Sequence, residues 1–282
     1  MDLKTLNDTP NWEWPKKAGT IILEVLRDKK ASEADRITAA GLAGNGMVMD
    51  DNMANHLLDI VRDSREPEEL RCKAAVALGP ALEWAETMEF EDSDSDMLSE
   101  KGFNEVREQL REIYRDTAIP KKVRRRILEA AVRSPMEWQK KAIEDAYATK
   151  DEYWLLTAIF AMGYVPGFQD RLLDTLKNEK PDTDLYYEAV CSVGEWGLKE
   201  AWPYIEKIFT EYADDKPLLL AAIEAAGNMA IPHAADFLGD LSDSDDEEIA
   251  EAAQDALQMA GALSDNLPDE FFDDDLSEGD LF

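Results

Sequence analysis

Apolar residues recur along this chain at intervals of four, which is the spacing of one face of an α-helix. The pattern repeats in a single register over seven segments: Glu33–Gly44, Pro67–Gly79, Pro120–Val132, Asp151–Gly163, Thr183–Gly194, Lys216–Gly227 and Glu247–Gln258. Aligned, they share a small residue in the middle of the stripe, which is alanine in six of the seven: Ala39, Ala74, Ile127, Ala158, Ala189, Ala222 and Ala253. A residue this small lets another helix approach closely. The pattern therefore predicts seven equivalent helices, each buried along one stripe.

Each of these helices follows another segment with helical apolar spacing. These preceding segments are Pro15–Arg27, Asp51–Asp63, Phe103–Arg115, Met136–Tyr147, Phe168–Asn178, Leu198–Tyr212 and Pro232–Leu241. The commonest repeat interval is 31 residues, which fits two short helices and two turns. A glycine ends five of the seven stripes, and we expect it to cap the helix in a left-handed conformation. Asp35 takes an apolar position of the first stripe, so an alignment of the first repeat shifted by one residue stays an alternative.

The repeated pattern is clearest in the second repeat, at Leu70, Arg71, Ala74, Ala75, Leu78 and Gly79. It resembles the short HEAT-like repeats of the phycobilisome-lyase type. The resemblance implies an all-α fold, a right-handed α-α superhelix (a HEAT-like solenoid) of about seven helix pairs, over residues 1–261. Solenoids of this kind serve as scaffolds, chromophore-lyase subunits, hydroxylases and DNA glycosylases, so the resemblance does not fix a function.

Two segments depart from the repeat, and each holds eight acids and no Lys or Arg. The first, residues 83–100, is an insertion after the second repeat, and its front half is expected to extend the preceding helix. The second, residues 262–282, is an acidic tail that we predict to be disordered. Apolar residues embedded in it form a candidate docking motif: Phe271, Phe272, Leu276 and Phe282. A purely solubilising tail is the alternative.

The formal net charge of −32 argues against a generic nucleic-acid or anionic-membrane binder, because both carry negative charge themselves. It favours a basic protein partner. The longest apolar run, Leu218–Ile231, contains Glu224 and is too short to span a bilayer. No signal peptide is recognised, and the two cysteines, Cys72 and Cys191, are far apart. These features predict a cytoplasmic protein.

Catalytic chemistry has few candidate residues. Iron-binding hydroxylases with HEAT-like repeats use paired His-Glu motifs, whereas His56 and His233 are followed by Leu57 and Ala234. Cys191 has no histidine nearby in the sequence and is interpreted as a small apolar filler. We therefore assign no catalytic residue, no cofactor and no metal ligand.

A basic island interrupts the acidic sequence, with eight bases against two acids between Lys121 and Lys141. In the resembling family, the helices that carry the glycine column line the concave face. Helical geometry then exposes four positions in each repeat. They lie five, two and one residues before the small-residue column, and two residues after it. Among these positions, the predicted partner-binding groove consists of Lys122, Arg125, Arg126, Tyr153, Phe160, Tyr187 and Glu188.

Arginine beside tyrosine suits carboxylate recognition combined with stacking. The alternative is that the island pairs with the insertion or with neighbouring helices. A related hypothesis places the acidic tail or the insertion on Lys121–Arg126. The function predicted from these patterns is a non-catalytic scaffold or adaptor that binds a basic protein. Two alternatives stay open: a nucleic-acid mimic that inhibits a DNA- or RNA-binding protein, and a lyase-like or other enzyme subunit. The oligomeric state is not indicated.

Overall fold

The structure, a computed structural model, describes residues 2–87 and 97–265. Within these ranges the chain forms fifteen α-helices and three short 3-10 helices, with no strand. No helix in the described ranges is both long and apolar enough to cross a membrane. The chain divides into two compact units, Met1–Val165 and Pro166–Phe282.

The first unit contains a short leading helix, α1 (Leu3–Asn7), and four helix pairs. The pairs are α2 (Ala18–Arg27) with α3 (Glu33–Ala43), α4 (Asp51–Arg62) with α5 (Glu68–Thr87), α6 (Glu100–Arg115) with α7 (Lys121–Ala131), and α8 (Glu137–Ala148) with α9 (Glu152–Met162). The second helices pack on one another in order, α3 on α5, α5 on α7 and α7 on α9.

The second unit contains three further pairs. They are α10 (Gln169–Asn178) with α11 (Asp184–Glu195), α12 (Trp202–Glu211) with α13 (Lys216–Met229), and α14 (Pro232–Ser242) with α15 (Glu247–Asp265). Here α13 packs against both α11 and α15. The seven pairs confirm the predicted all-α, HEAT-like helical-repeat solenoid. We call α3, α5, α7 and α9, and in the second unit α11, α13 and α15, the second-helix row.

Short polar side chains determine where several helices begin. The Asp50 carboxylate accepts a hydrogen bond from the Met53 amide at 2.7 Å, and the Ser99 hydroxyl accepts one from the Gly102 amide at 3.0 Å. Asp151 caps α9 in the same way. Each cap satisfies an amide that has no partner within the first turn of its helix.

The small-residue column is buried throughout, as the sequence predicts. Its members each have no exposed surface: Ala39, Ala74, Ile127, Ala158, Ala189, Ala222 and Ala253. The register of the first repeat holds although Asp35 is exposed, because Ala39 is buried and Arg36 takes the place that Arg71 takes in the second repeat. The column therefore belongs to the buried core of each unit.

Two of these arginines close the ends of the preceding helices. The Arg36 Nε donates to the Leu26 carbonyl at 3.1 Å, and the Arg71 Nε donates to the Val61 carbonyl at 2.9 Å. Leu26 and Val61 lie in the last turns of α2 and α4, where carbonyls have no partner within the helix. This repeated use of a buried arginine was not foreseen from the sequence.

The glycine column does not act as predicted. Gly44 and Gly163 have φ of −68° and −67°, and Gly79, Gly194 and Gly227 lie inside their helices, so none is a left-handed cap. At Gly194 and Gly227, glycine instead permits a close approach of the next helix. A Cβ on Gly194 would lie 2.9 Å from the Cα of Ala225, and one on Gly227 would lie 2.9 Å from the Cα of Ala256. These two repeats thus require glycine because the next helix leaves no room for a side chain.

The front half of the insertion does extend a helix, because α5 continues through Pro80 to Thr87. Its exposed end contacts the end of α7, where the Glu83 carboxylate pairs with Arg133 and the Glu86 carboxylate accepts from the Ser134 hydroxyl at 2.6 Å. Residues 88–96 lie outside the described ranges. So do residues 266–282, with the predicted docking motif of Phe271, Phe272, Leu276 and Phe282, and the tail's disorder stays a prediction.

Candidate functional site

A groove of about 550 Å³ lies on the second-helix row of the first unit, at the beginnings of α7 and α9. We call it the basic groove. Its lining consists of Lys121, Lys122, Arg125, Arg126, Asp151, Tyr153 and Trp154. Four predicted site residues are among them, namely Lys122, Arg125, Arg126 and Tyr153. The structure thus brings these four predicted residues together, from the beginnings of α7 and α9.

The arginines of the basic groove are held by acceptors within the protein. Arg125 is buried, and its Nη1 donates to the Glu129 carboxylate at 3.2 Å and to the Thr157 hydroxyl at 3.1 Å. Its guanidinium lies over the Tyr153 ring, 5.4 Å from the centroid. Arg126 donates to the other Glu129 oxygen at 2.5 Å. The single carboxylate of Glu129 is therefore shared between the two arginines and offsets one of their two charges.

The lysines of the basic groove are more open. The Lys122 Nζ lies 2.6 Å from the Glu69 carboxylate, and both side chains are about half exposed. This hydrogen bond raises the pKa of Lys122 and lowers that of Glu69. Lys121 is exposed and has no ion pair with any residue in the described ranges. Of the ion pairs in the basic groove, Lys122–Glu69 joins α7 to α5, whereas those of Arg125 and Arg126 with Glu129 lie within α7.

Phe160 belongs to a different cluster. Its ring centroid is 5.1 Å from that of Tyr164, and the Arg133 guanidinium lies over both rings at 5.7 and 5.2 Å. Because Arg133 also pairs with Glu83, this cluster joins the end of α7 to α5 and α9. Phe160 is not among the residues that line the basic groove.

The remaining predicted residues, Tyr187 and Glu188, lie on α11 in the second unit. Tyr187 lines a separate groove of about 380 Å³, which we call the acidic groove. Its lining consists of Tyr187, Cys191, Leu220, Ala221, Glu224, Ala252, Asp255, Ala256 and Met259. Glu188 is half-buried beside it and does not line it.

The acidic groove combines exposed carboxylates with exposed apolar side chains. Glu224 and Asp255 are exposed, and Tyr187 and Met259 keep 40% and 43% of their surface exposed. No Lys or Arg lines it. In the described part of the second-helix row of this unit, the one base is Lys216, whose Nζ pairs with Asp246 and Glu248 at 2.7 Å each. This face is therefore strongly negative around an apolar floor.

Most residues of the acidic groove occupy the exposed register positions expected from the sequence. Met259 and Ala256 do not, and neither do Lys121, Asp151 and Trp154 in the basic groove. Met259 lies six residues after the column alanine Ala253. Extending the register by one helical turn would have identified it, because residues three and four apart share a helix face.

Cys191 should be a slow nucleophile. Burial and the nearby Glu188 carboxylate raise the pKa of its thiol to about 11, and its thiol is hydrogen bonded with Tyr187. Since the thiolate is the reacting form, we expect alkylation by iodoacetamide at pH 8 to be at least tenfold slower than for an unperturbed cysteine. Mass spectrometry of the Cys72→Ser variant measures this rate at Cys191 alone. Rapid labelling at neutral pH would contradict the apolar-filler interpretation.

No protein-family model matches the chain, and the comparison with curated proteins gives no match. Among solved structures, the chain is similar to human deoxyhypusine hydroxylase in complex with glycerol, at 18% identity and a TM-score of 0.40, over 92% of this chain and 88% of that one. It is also similar to a designed armadillo repeat protein, at 14% identity and a TM-score of 0.32, over 85% of this chain and 98% of that one. Both likenesses concern helical-repeat architecture alone.

Proposed function

We propose that this protein is a non-catalytic interaction scaffold of the short HEAT-like, phycobilisome-lyase type that binds a basic segment of a partner protein in the cytoplasm. The observation that carries the proposal is the acidic groove. Its exposed carboxylates, Glu224 and Asp255, flank exposed Tyr187 and Met259, and no base lines it.

The chemistry of the groove defines the segment that fits it. Carboxylates attract the ammonium or guanidinium groups of Lys and Arg, and the long stems of these side chains pack on apolar surface. Met259 supplies an adaptable apolar contact and Tyr187 a rigid one. The best occupant is therefore an amphipathic segment that alternates basic and aliphatic residues. The net charge of −32 would speed the encounter.

Neutralising the two groove carboxylates should weaken binding of such a segment. The probe is an 18-residue synthetic peptide of Lys and Leu with helical amphipathic spacing, titrated by fluorescence anisotropy against the full chain. We expect Glu224→Gln with Asp255→Asn to raise Kd about fivefold to tenfold, because exposed ion pairs contribute about 0.2–1 kcal/mol each. Met259→Ala should raise Kd further through lost apolar contact.

A matched control separates the groove from the general charge of the protein. Glu206→Gln with Asp236→Asn removes the same two charges from exposed positions on the first helices, α12 and α14, of the same unit. It should change Kd less than twofold. Equal effects of both pairs would contradict the proposed groove. A steep salt dependence with no effect of Tyr187→Ala or Met259→Ala would favour the nucleic-acid mimic instead.

A further inference from the structure

We infer that the basic groove of the first unit binds an acidic segment of a partner protein, one that carries an aromatic residue among its carboxylates. This goes beyond the proposed function, which depends on the acidic groove of the second unit and on a basic segment. The inference rests on the charge of the groove, since four bases and one acid line it in a chain of formal net charge −32. It rests also on the exposed ring beside these bases.

The bases of the groove keep donors that a ligand can use. Lys121 is exposed without an ion pair to a described residue, and the exposed Lys122–Glu69 pair can exchange one carboxylate for another. The hydrogen bonds that Arg125 and Arg126 make with described residues all come from Nη1. Since a guanidinium has five N–H donors, each arginine retains donors beyond those that the described residues use. A carboxylate entering the groove therefore meets several positive groups.

Asp151, the one acid among the described lining residues, is directed at its own helix. Its carboxylate accepts from the amides of Tyr153 and Trp154 at 3.1 and 3.3 Å. Its charge therefore offsets the positive end of the α9 dipole. The neighbouring α7 begins after Pro120 with no side-chain cap and no acid in its first turn. An acidic ligand in the groove would add the negative charge that the beginning of α7 lacks.

Tyr153 gives the groove an aromatic wall. It keeps 68% of its surface exposed, and the Arg125 guanidinium lies over its ring, 5.4 Å from the centroid. Because the ring is already held by this contact, stacking with an aromatic residue of a ligand would cost little side-chain entropy. Lys121 lines the same groove. A ligand with a carboxylate and a ring in adjacent residues would therefore gain charge pairing and ring contact together.

A short acidic peptide fits this groove better than a nucleic acid does. The groove measures about 550 Å³, which is room for a few side chains. A nucleic acid needs a series of cations along its phosphate backbone, whereas Lys121 is the one lining base without an ion pair to a described residue. The net charge of −32 also repels an extended polyanion more strongly than a short one.

Fluorescence anisotropy with the full chain and two synthetic peptides tests the inference. Both peptides have twelve residues of Asp and Glu except at two central positions, which are Phe in one peptide and Ser in the other. We expect the Phe peptide to bind saturably and the Ser peptide to bind about threefold to tenfold more weakly. Tyr153→Ala should remove this difference by weakening the Phe peptide alone. Lys121→Glu should raise the Kd of both peptides about threefold to tenfold.

The matched controls are Lys140→Glu and Trp12→Ala. They make the same kinds of change at an exposed base and an exposed ring of the first unit that do not line the groove. Each should change Kd less than twofold. Lack of saturable binding by the Phe peptide overturns the inference, as do equal effects in the controls. Displacement of the Phe peptide by an equal concentration of a single-stranded oligonucleotide also overturns it and indicates a nucleic acid as the occupant. The titration of the acidic groove uses a peptide of opposite charge, so either proposal can fail alone.

Discussion

Replacing Glu66 with glutamine is expected to lower the free energy of unfolding by about 3 kcal/mol, and at most about 5. Glu66 and Arg36 are both buried, and their side chains make two hydrogen bonds, Nη1 to Oε2 at 2.5 Å and Nη2 to Oε1 at 3.0 Å. The same guanidinium donates twice to the Leu26 carbonyl, at 3.1 and 3.0 Å. Glutamine keeps the size of the side chain but leaves the buried Arg36 charge without its hydrogen-bonded counter-charge.

Urea denaturation of the full chain, followed by far-UV circular dichroism, measures this loss. Lys29 also contacts Glu66 but is itself mostly exposed, so Lys29→Ala should cost less than about 1 kcal/mol. The double variant Arg36→Met with Glu66→Leu removes both charges and should recover much of the stability lost in Glu66→Gln. A double variant no more stable than Glu66→Gln would show that the loss comes from packing and not from the unpaired charge.

The sequence predicted the architecture well because burial in a repeat is periodic. The small-residue column, from Ala39 to Ala253, specified which stripe of each helix is buried, and helical geometry then specified which positions are exposed. That rule correctly predicted Tyr153 and Tyr187 at exposed positions of their helices. The rule needs no knowledge of which helix packs where, since every repeat buries the same column.

The electrostatic effect of the charged groove residues could not be predicted from the spacing of residue types. Arg125 and Arg126 are adjacent in the basic island, but their electrostatic effect depends on Glu129 and, for Arg125, on Thr157 in the next repeat. Such pairing depends on side-chain geometry between repeats, which the spacing of residue types does not encode. For the same reason the sequence combined residues of two separate grooves, one in each unit, into a single predicted site.

The burial of two arginines also could not be predicted from the hydropathy pattern. Arg36 and Arg71 lie next to the apolar stripe and appear polar in any hydropathy pattern. Both are nevertheless buried, because each donates to a carbonyl at the end of the preceding helix, Leu26 or Val61. Arg36 also pairs with the buried Glu66, whereas the Arg71 Nη2 has no hydrogen-bond partner among the described residues. The sequence shows the repetition of the arginine but not the acceptor it finds.

Replacing Gly194 with alanine is expected to destabilise the second unit by about 1–3 kcal/mol, although alanine is the better helix former. Gly194 lies within α11, and its added Cβ would lie 2.9 Å from both the Cα and the Cβ of Ala225 on α13. That distance is shorter than carbon atoms tolerate, so the two helix backbones must separate. Their separation would loosen the packing of α11 against α13.

Gly239→Ala provides the matched control within the same unit. Gly239 lies inside α14, and an added Cβ there would meet nothing within 4 Å, so alanine should stabilise by about 0.5–1 kcal/mol through its helix propensity. The two substitutions are chemically identical, and urea denaturation should show opposite signs. If both stabilise the protein, the glycine column is not needed for close packing. Opposite signs would establish that close helix approach, and not helix capping, requires glycine at position 194.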